Sequence, residues 1–124
     1  MLCGMKESHL KIEKELLKGN TPMLVLAIVR DGPLHGYAIA REIERRSSNL
    51  LKFKEGTLYP VLHSLEHNRW LQSSWDTSTP GPARKVYRLT ALGEAELAKR
   101  TGIWQEFSTA VGNIIQGGPH PKSS

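Results

Sequence analysis

The chain has 124 residues, with 17 Lys+Arg against 12 Asp+Glu for a net charge of +5, and an isoelectric point near 9.6. That length predicts one domain with a modest core, and the basic balance favours a polyanionic partner without specifying one. A single cysteine, Cys3, excludes a disulfide framework. The longest apolar run, Met23–Val29, is far short of the ~20 residues of a membrane span. With no apolar leader at the N-terminus, the expectation is a cytoplasmic protein with no membrane contact.

Met5 to Lys18 reads as a helix with Met5, Ile12 and Leu16 on one side and Glu7 paired with Lys11. Gly19-Asn20 predicts its stop. Thr21-Pro22 predicts a new start, with Thr as N-cap and Pro at the first helical position. MLVLAIV follows, apolar all round, and should be a central buried helix ended by Asp31-Gly32-Pro33. The next helix, about His35 to Arg46, buries Ile39, Ala40 and Ile43. It exposes Arg41, Glu42, Arg45 and Arg46, as a solvated charged face or as phosphate contacts.

Glu55–Leu71 (EGTLYPVLHSLEHNRWL) is the most informative stretch. Leu58, Leu62 and Leu65 fall at i, i+4, i+7 and form a core-facing stripe. The outward positions carry Thr57, Tyr59 and His63 where an ordinary solvent face has Lys and Glu. Hydroxyls and rings at the start of a helix suit base edges and flanking phosphates of DNA. A hairpin is predicted between about Trp70 and Leu89: LQSSW and KVYRL are β-prone, and DTSTPGPAR between them is rich in turn residues. Arg84, Lys85 and Arg88 make it basic, and two strands alone must lean on neighbouring helices, as a wing does.

The last helix runs from about Ala91 to Gln116 with Thr90 as N-cap. Leu97, Trp104 and Val111 recur every seven residues, with Phe107 and Ile114 at the second position of a coiled-coil seam. A helix this long touches its own domain over part of its length, so the seam points to a second copy of the chain. The competing arrangement packs the seam on the Met5–Lys18 helix. The fold class is mainly α with a small β-hairpin: a winged helix-turn-helix plus an N-terminal helix and a long C-terminal dimerisation helix. The expected division is an N-terminal helical arm over 1–20, a DNA-binding domain over 21–89, a dimerisation helix over 90–116 and a disordered tail over 117–124.

Three strings in this order carry a family likeness: LHGYAIAREIE at Leu34–Glu44, EGTLYPVLHSLE at Glu55–Glu66 and GPARKVYRLTALGE at Gly81–Glu94. From Leu16 to about Ile115 the chain resembles the PadR-like transcriptional regulators. The single C-terminal helix is similar to the smaller branch of that family, whose dimers form through this helix and the N-terminal one. The resemblance implies a homodimeric DNA-binding regulator; two-fold symmetry of the protein then calls for an inverted-repeat operator, and the expected role is a repressor with no cofactor and no metal. Some smaller members respond to planar, often cationic compounds. Facing copies of Trp104, with Phe107 close by, would make a slot for such an aromatic effector; the plainer role of Trp104 is interface packing. Two departures are Lys54, where such proteins often have a capping Ser, and the absence of a larger second C-terminal helical domain.

The candidate DNA-binding residues are Tyr37, Lys54, Gly56, Thr57, Tyr59, Pro60, His63, Arg84 and Lys85. Tyr59 and Thr57 would project from the first turns of the reading helix, where Tyr reaches a phosphate or a thymine methyl. Gly56 lets the backbone approach a phosphate beside helix-terminal amides, and Pro60 places the helix start close to itself. Tyr37 either buttresses the reading helix, the favoured role, or meets a phosphate. Arg84 and Lys85 would meet the backbone or minor groove. Two rival functions remain. A winged helix also serves as a protein–protein adaptor, although that needs an apolar patch where Thr57, Tyr59 and His63 stand. His63-Ser64-Leu65-Glu66-His67 matches the H-x-x-E-H pattern of zinc hydrolases, but no third ligand is in view. The reading is a non-enzyme.

Overall fold

Helix α1 spans Lys14–Arg30 without a break, so the predicted stop at Gly19-Asn20 and restart at Thr21-Pro22 do not occur. In the computed structural model, which describes residues 12–54 and 56–117, Pro22 sits inside the helix. An interior Pro costs roughly 3 kcal/mol. Asn20 Nδ2 donates to the Leu16 carbonyl at 2.8 Å and Thr21 Oγ1 to the Leu17 carbonyl at 2.7 Å, extra bonds beside the gap that Pro22 leaves. Thr21, expected as a cap, is buried with Val25, Leu26, Ile28 and Val29. Fully burying each such aliphatic side chain is worth about 1.5–3 kcal/mol, so packing outweighs the proline. The predicted helix start at Met5, Glu55 and the tail from residue 118 onward lie outside the described residues.

After α1 come β1 (Leu34–His35), α2 (Gly36–Arg46), α3 (Tyr59–His67), β2 (Leu71–Asp76), β3 (Arg84–Leu89) and α4 (Ala91–Gln116). The predicted hairpin is present as β2 and β3, paired from Leu71↔Leu89 to Asp76↔Arg84. The sheet also has a third strand: β1 pairs antiparallel with β3 through Leu34↔Tyr87 and His35↔Val86, giving the order β1-β3-β2. The wing is thereby stitched to the residues that lead into α2. The reading helix is shorter than its pattern, because Asn68 caps it and Leu71 already belongs to β2. Leu58, Leu62 and Leu65 are all buried against Leu26, Ile39 and Leu71, as their spacing requires.

Helix α4 matches its predicted bounds. The Thr90 Oγ1 accepts the Gly93 amide at 2.9 Å and donates to the Arg69 carbonyl at 2.6 Å, tying the helix start to the base of the wing. Leu97 is 3% exposed and belongs to the domain's own core, which corrects its place in the intermolecular seam. Beyond it, Trp104, Phe107 and Ile114 are exposed and Val111 is half-buried. Leu16 and Met23 of α1 line a groove of about 420 Å³ with Ile103, Trp104 and Phe107. The first helix therefore flanks the seam without closing it.

Two glycines of α4 respond oppositely to one added methyl. At Gly93 it would run into the backbone carbonyl of Trp70 and come within 2.6 Å of Leu89 Cδ1, while at Gly102 nothing lies within 4 Å. Gly93→Ala is expected to cost about 3 kcal/mol, and Gly102→Ala to stabilise by about 1 kcal/mol. Thermal unfolding of the two variants checks the sign of each.

Candidate nucleic-acid interface

With its leucines turned inward, α3 presents Tyr59, Pro60 and His63 outward, and Tyr59 is 52% exposed. Pro60 lies in the first turn, where its missing N–H matters least. Beside α3, the N-terminus of α2 comes very close: a methyl on Gly36 would lie 3.2 Å from both Leu62 Cδ1 and Tyr59 Cε1. Across from them stands the wing. Tyr37, Tyr59, His63, Arg84 and Lys85, five of the residues singled out from sequence, line one cleft of about 360 Å³ together with His35, Trp75 and Tyr87.

The other predicted residues lie ahead of α3. Gly56 has φ +85°, a conformation that favours glycine. Thr57 precedes the helix instead of standing in its first turns, and its hydroxyl donates to the Lys54 carbonyl at 2.7 Å. Lys54 is exposed, and neither it nor Gly56, Thr57 or Pro60 lines the cleft. Tyr37 is not a packed buttress: it is 64% exposed, and Arg41 donates to its hydroxyl at 3.0 Å with the guanidinium 5.7 Å from the ring centre. The remaining arginines of α2 pair with carboxylates, Arg45 with Glu42 at 2.6 Å, and Arg46 with Glu42 at 2.7 Å and Asp31 at 2.8 Å. Hydrogen bonds from Arg45 and Arg46 hold the Glu42 carboxyl down at about 2. In this structure the charged face of α2 is ion-paired within itself and to Asp31.

Glu66 joins the reading helix to the wing. One carboxylate oxygen accepts from Ser73 Oγ at 2.5 Å on β2, and the other lies 3.4 Å from Lys85 Nζ on β3. The Ser73 hydroxyl, then Lys85, hold this carboxyl below its ordinary value against the opposing effect of burial. Lys85 is thus not a free cation at the wing tip, and its ammonium also lies 5.9 Å from the Trp75 ring centre and 5.7 Å from that of Tyr87. At the far end of the wing, Asp76 accepts the Ser78 hydroxyl at 2.6 Å and its amide at 3.0 Å, and meets His35 Nε2 at 3.1 Å. These bonds, Ser78's first, keep Asp76 ionised down to about 2 and anchor the wing turn to β1.

The sequence singled out neither Trp75 nor Tyr87 for the cleft, and read Glu66 only as part of the zinc pattern. A signal existed: alternation places Leu71, Ser73 and Trp75 on one face of β2, opposite Leu89, Tyr87 and Lys85. That pattern was hidden by the two serines. His35 depends on the third strand, which two residues cannot announce.

A model of the transcriptional regulator PadR-like family matches residues 25–99, more than half of the 124-residue chain. The chain belongs to the PadR-like family. Among its relatives, a transcriptional regulator of Mycobacterium tuberculosis is 31% identical over 98 residues, covering 79% of this chain and 88% of that protein. A PadR family transcriptional regulator from Eggerthella lenta superposes with a TM-score of 0.69 at 33% identity, covering 82% of each chain. A PadR-like regulator from Bacillus cereus gives 0.72 at 26% identity, covering 83% of this chain and 98% of that one.

This PadR-like protein is a DNA-binding transcriptional regulator and not an enzyme. In the zinc-like string, Glu66 is turned to the wing while His63 and His67 stand in solvent. Among the described residues, no helix is long and apolar enough to cross a membrane.

Proposed function

We propose that this PadR-like regulator is a repressor that binds an inverted-repeat operator as a homodimer, reading each half-site with the cleft between α3 and the wing. The observation that carries the reading is that cleft. Tyr59 and His63 stand outward on a helix whose opposite face is buried, beside Arg84 on the adjoining wing strand. Major-groove readers present contacts from the first turns of such a helix while a flanking element meets the backbone. An adaptor surface would be apolar here, and the polar groups disfavour it.

Exposed apolar side chains on the second half of α4 support the dimer. Ile114 is 78% exposed, and Phe107 and Trp104 lie on the same side about two and three turns earlier. A contiguous apolar surface of this kind on a helix marks a partner, and an identical helix is self-complementary across a two-fold axis. One reading head offers few base contacts, so pairing two heads supplies the missing specificity. Occluding a promoter is the simplest route from such binding to control. Trp104 and Phe107, whose rings lie 6.3 Å apart at 42°, border an open apolar groove, which supports this region as the place for a planar aromatic effector between facing copies of Trp104. A ligand wedged there would press on the α1–α4 seam and shift the spacing of the two heads.

Two outcomes follow. The protein should sediment as a dimer at micromolar concentration, and the double substitution Phe107→Glu, Ile114→Glu should make it monomeric and weaken operator binding by about a hundredfold. A wild-type monomer, or a monomeric variant that binds as well as wild type, contradicts the dimer. Tyr59→Ala should lower discrimination between operator and random DNA by about 1–3 kcal/mol. Arg84→Ala should weaken both equally and lower the salt slope by about one. Binding titrations at several salt concentrations separate the two, and identical behaviour of both variants would move Tyr59 to a backbone role.

A further inference from the structure

We propose that Lys85 is a positioning residue: its ammonium holds the Trp75 indole in the cleft, and the indole, not the ammonium, meets the duplex. The inference rests on the reading that the cleft between α3 and the wing faces DNA. A lysine near the tip of a wing ordinarily counts as a phosphate contact. Here its charge is already engaged from three sides, 3.4 Å from a Glu66 carboxylate oxygen and 5.9 and 5.7 Å from the ring centres of Trp75 and Tyr87. Reaching a phosphate would break all three contacts and leave Glu66, at 31% side-chain exposure, facing the polyanion with its cation withdrawn. With the pairing intact, the carboxylate is neutralised and the repulsion is small.

Trp75 lies directly opposite Lys85 in the β2–β3 register, so strand alternation places both side chains on the same face of the wing. It is 65% exposed, although it shares the cleft with Tyr59 and His63. An exposed indole is a large apolar area with one N–H donor, chemistry that packs on a deoxyribose or a thymine methyl and donates to a phosphate. Arg84, the next residue of β3 and at the rim of the same cleft, has no carboxylate within 4 Å among the described residues and supplies the free charge. The two wing residues divide the work: Arg84 neutralises, Trp75 packs.

The test measures binding of the full chain to a random-sequence DNA duplex over a series of salt concentrations. Lys85→Met, made together with Glu66→Gln so that no unpaired carboxylate faces the duplex, keeps the aliphatic stem and removes the ammonium. That paired variant and Trp75→Ala should each weaken binding by about tenfold with the salt slope unchanged. Combining all three substitutions should be no weaker than either, because both remove the same contact. Trp75→Phe should recover most of the loss. Arg84→Ala, as the control, should lower the slope by about one. A slope that falls by about one in the Lys85→Met, Glu66→Gln variant would assign the ammonium to a phosphate and overturn the proposal. So would additive losses, or a Trp75→Ala variant that binds as wild type. If Arg84→Ala and Tyr59→Ala are also silent, the failure is that of the cleft as the DNA face, and the proposal falls with it.

Discussion

The Glu66 carboxylate, shared between Ser73 on one wing strand and Lys85 on the other, fixes the angle between reading helix and wing. Its value lies in geometry. Partly exposed ion pairs contribute about 0–1 kcal/mol, far less than the burial of Leu62, one turn earlier, and Leu65, the preceding residue, at about 1.5–3 kcal/mol each. The leucines therefore hold α3 in the domain, and they would hold it equally well under a range of wing tilts. The carboxylate selects one tilt, because it must satisfy two strands at once. The His35–Asp76 contact does the same at the far end, where the third strand joins the wing to the start of α2. With both contacts made, Tyr59, His63, Trp75 and Arg84 line one cleft.

Helix α4 shows how one element serves two environments. Its first turns carry the Thr90 cap, the Gly93 close approach and buried Leu97, all directed at the domain. Its later turns carry Trp104, Phe107 and Ile114 into solvent. The change comes where α1, running alongside, no longer covers the helix, leaving a groove bordered by Leu16 and Met23. An aromatic ligand or a second chain would each find apolar surface there. Under the proposed function, dimerisation and effector binding would draw on the same side chains here.

Legibility followed the strength of the local period. Leu58, Leu62 and Leu65, the Thr90 cap and the β2–β3 hairpin each follow a pattern several residues long, and each appears where its pattern places it. Gly19-Asn20-Thr21-Pro22 misled because its breaker chemistry is local, whereas the reason the helix continues is burial of Thr21 and two side chains bonding back one turn. Strand β1 has two residues, too few for alternation to register. Lys85 looked like a free charge because its partner lies nineteen residues away on a different element. Leu97 fitted the heptad, but a heptad records which face is apolar and not which neighbour covers it.

Amide and indole chemical-shift mapping with a random-sequence DNA duplex tests the central claim most directly, since it reports which face meets DNA without any substitution. The largest changes are predicted at Tyr59, His63 and Arg84 and at the Trp75 indole N–H, with Arg45 and Arg46 of α2 and the Trp104 indole little affected. Changes concentrated on Arg41–Arg46 or on the second half of α4, with the cleft silent, would contradict it.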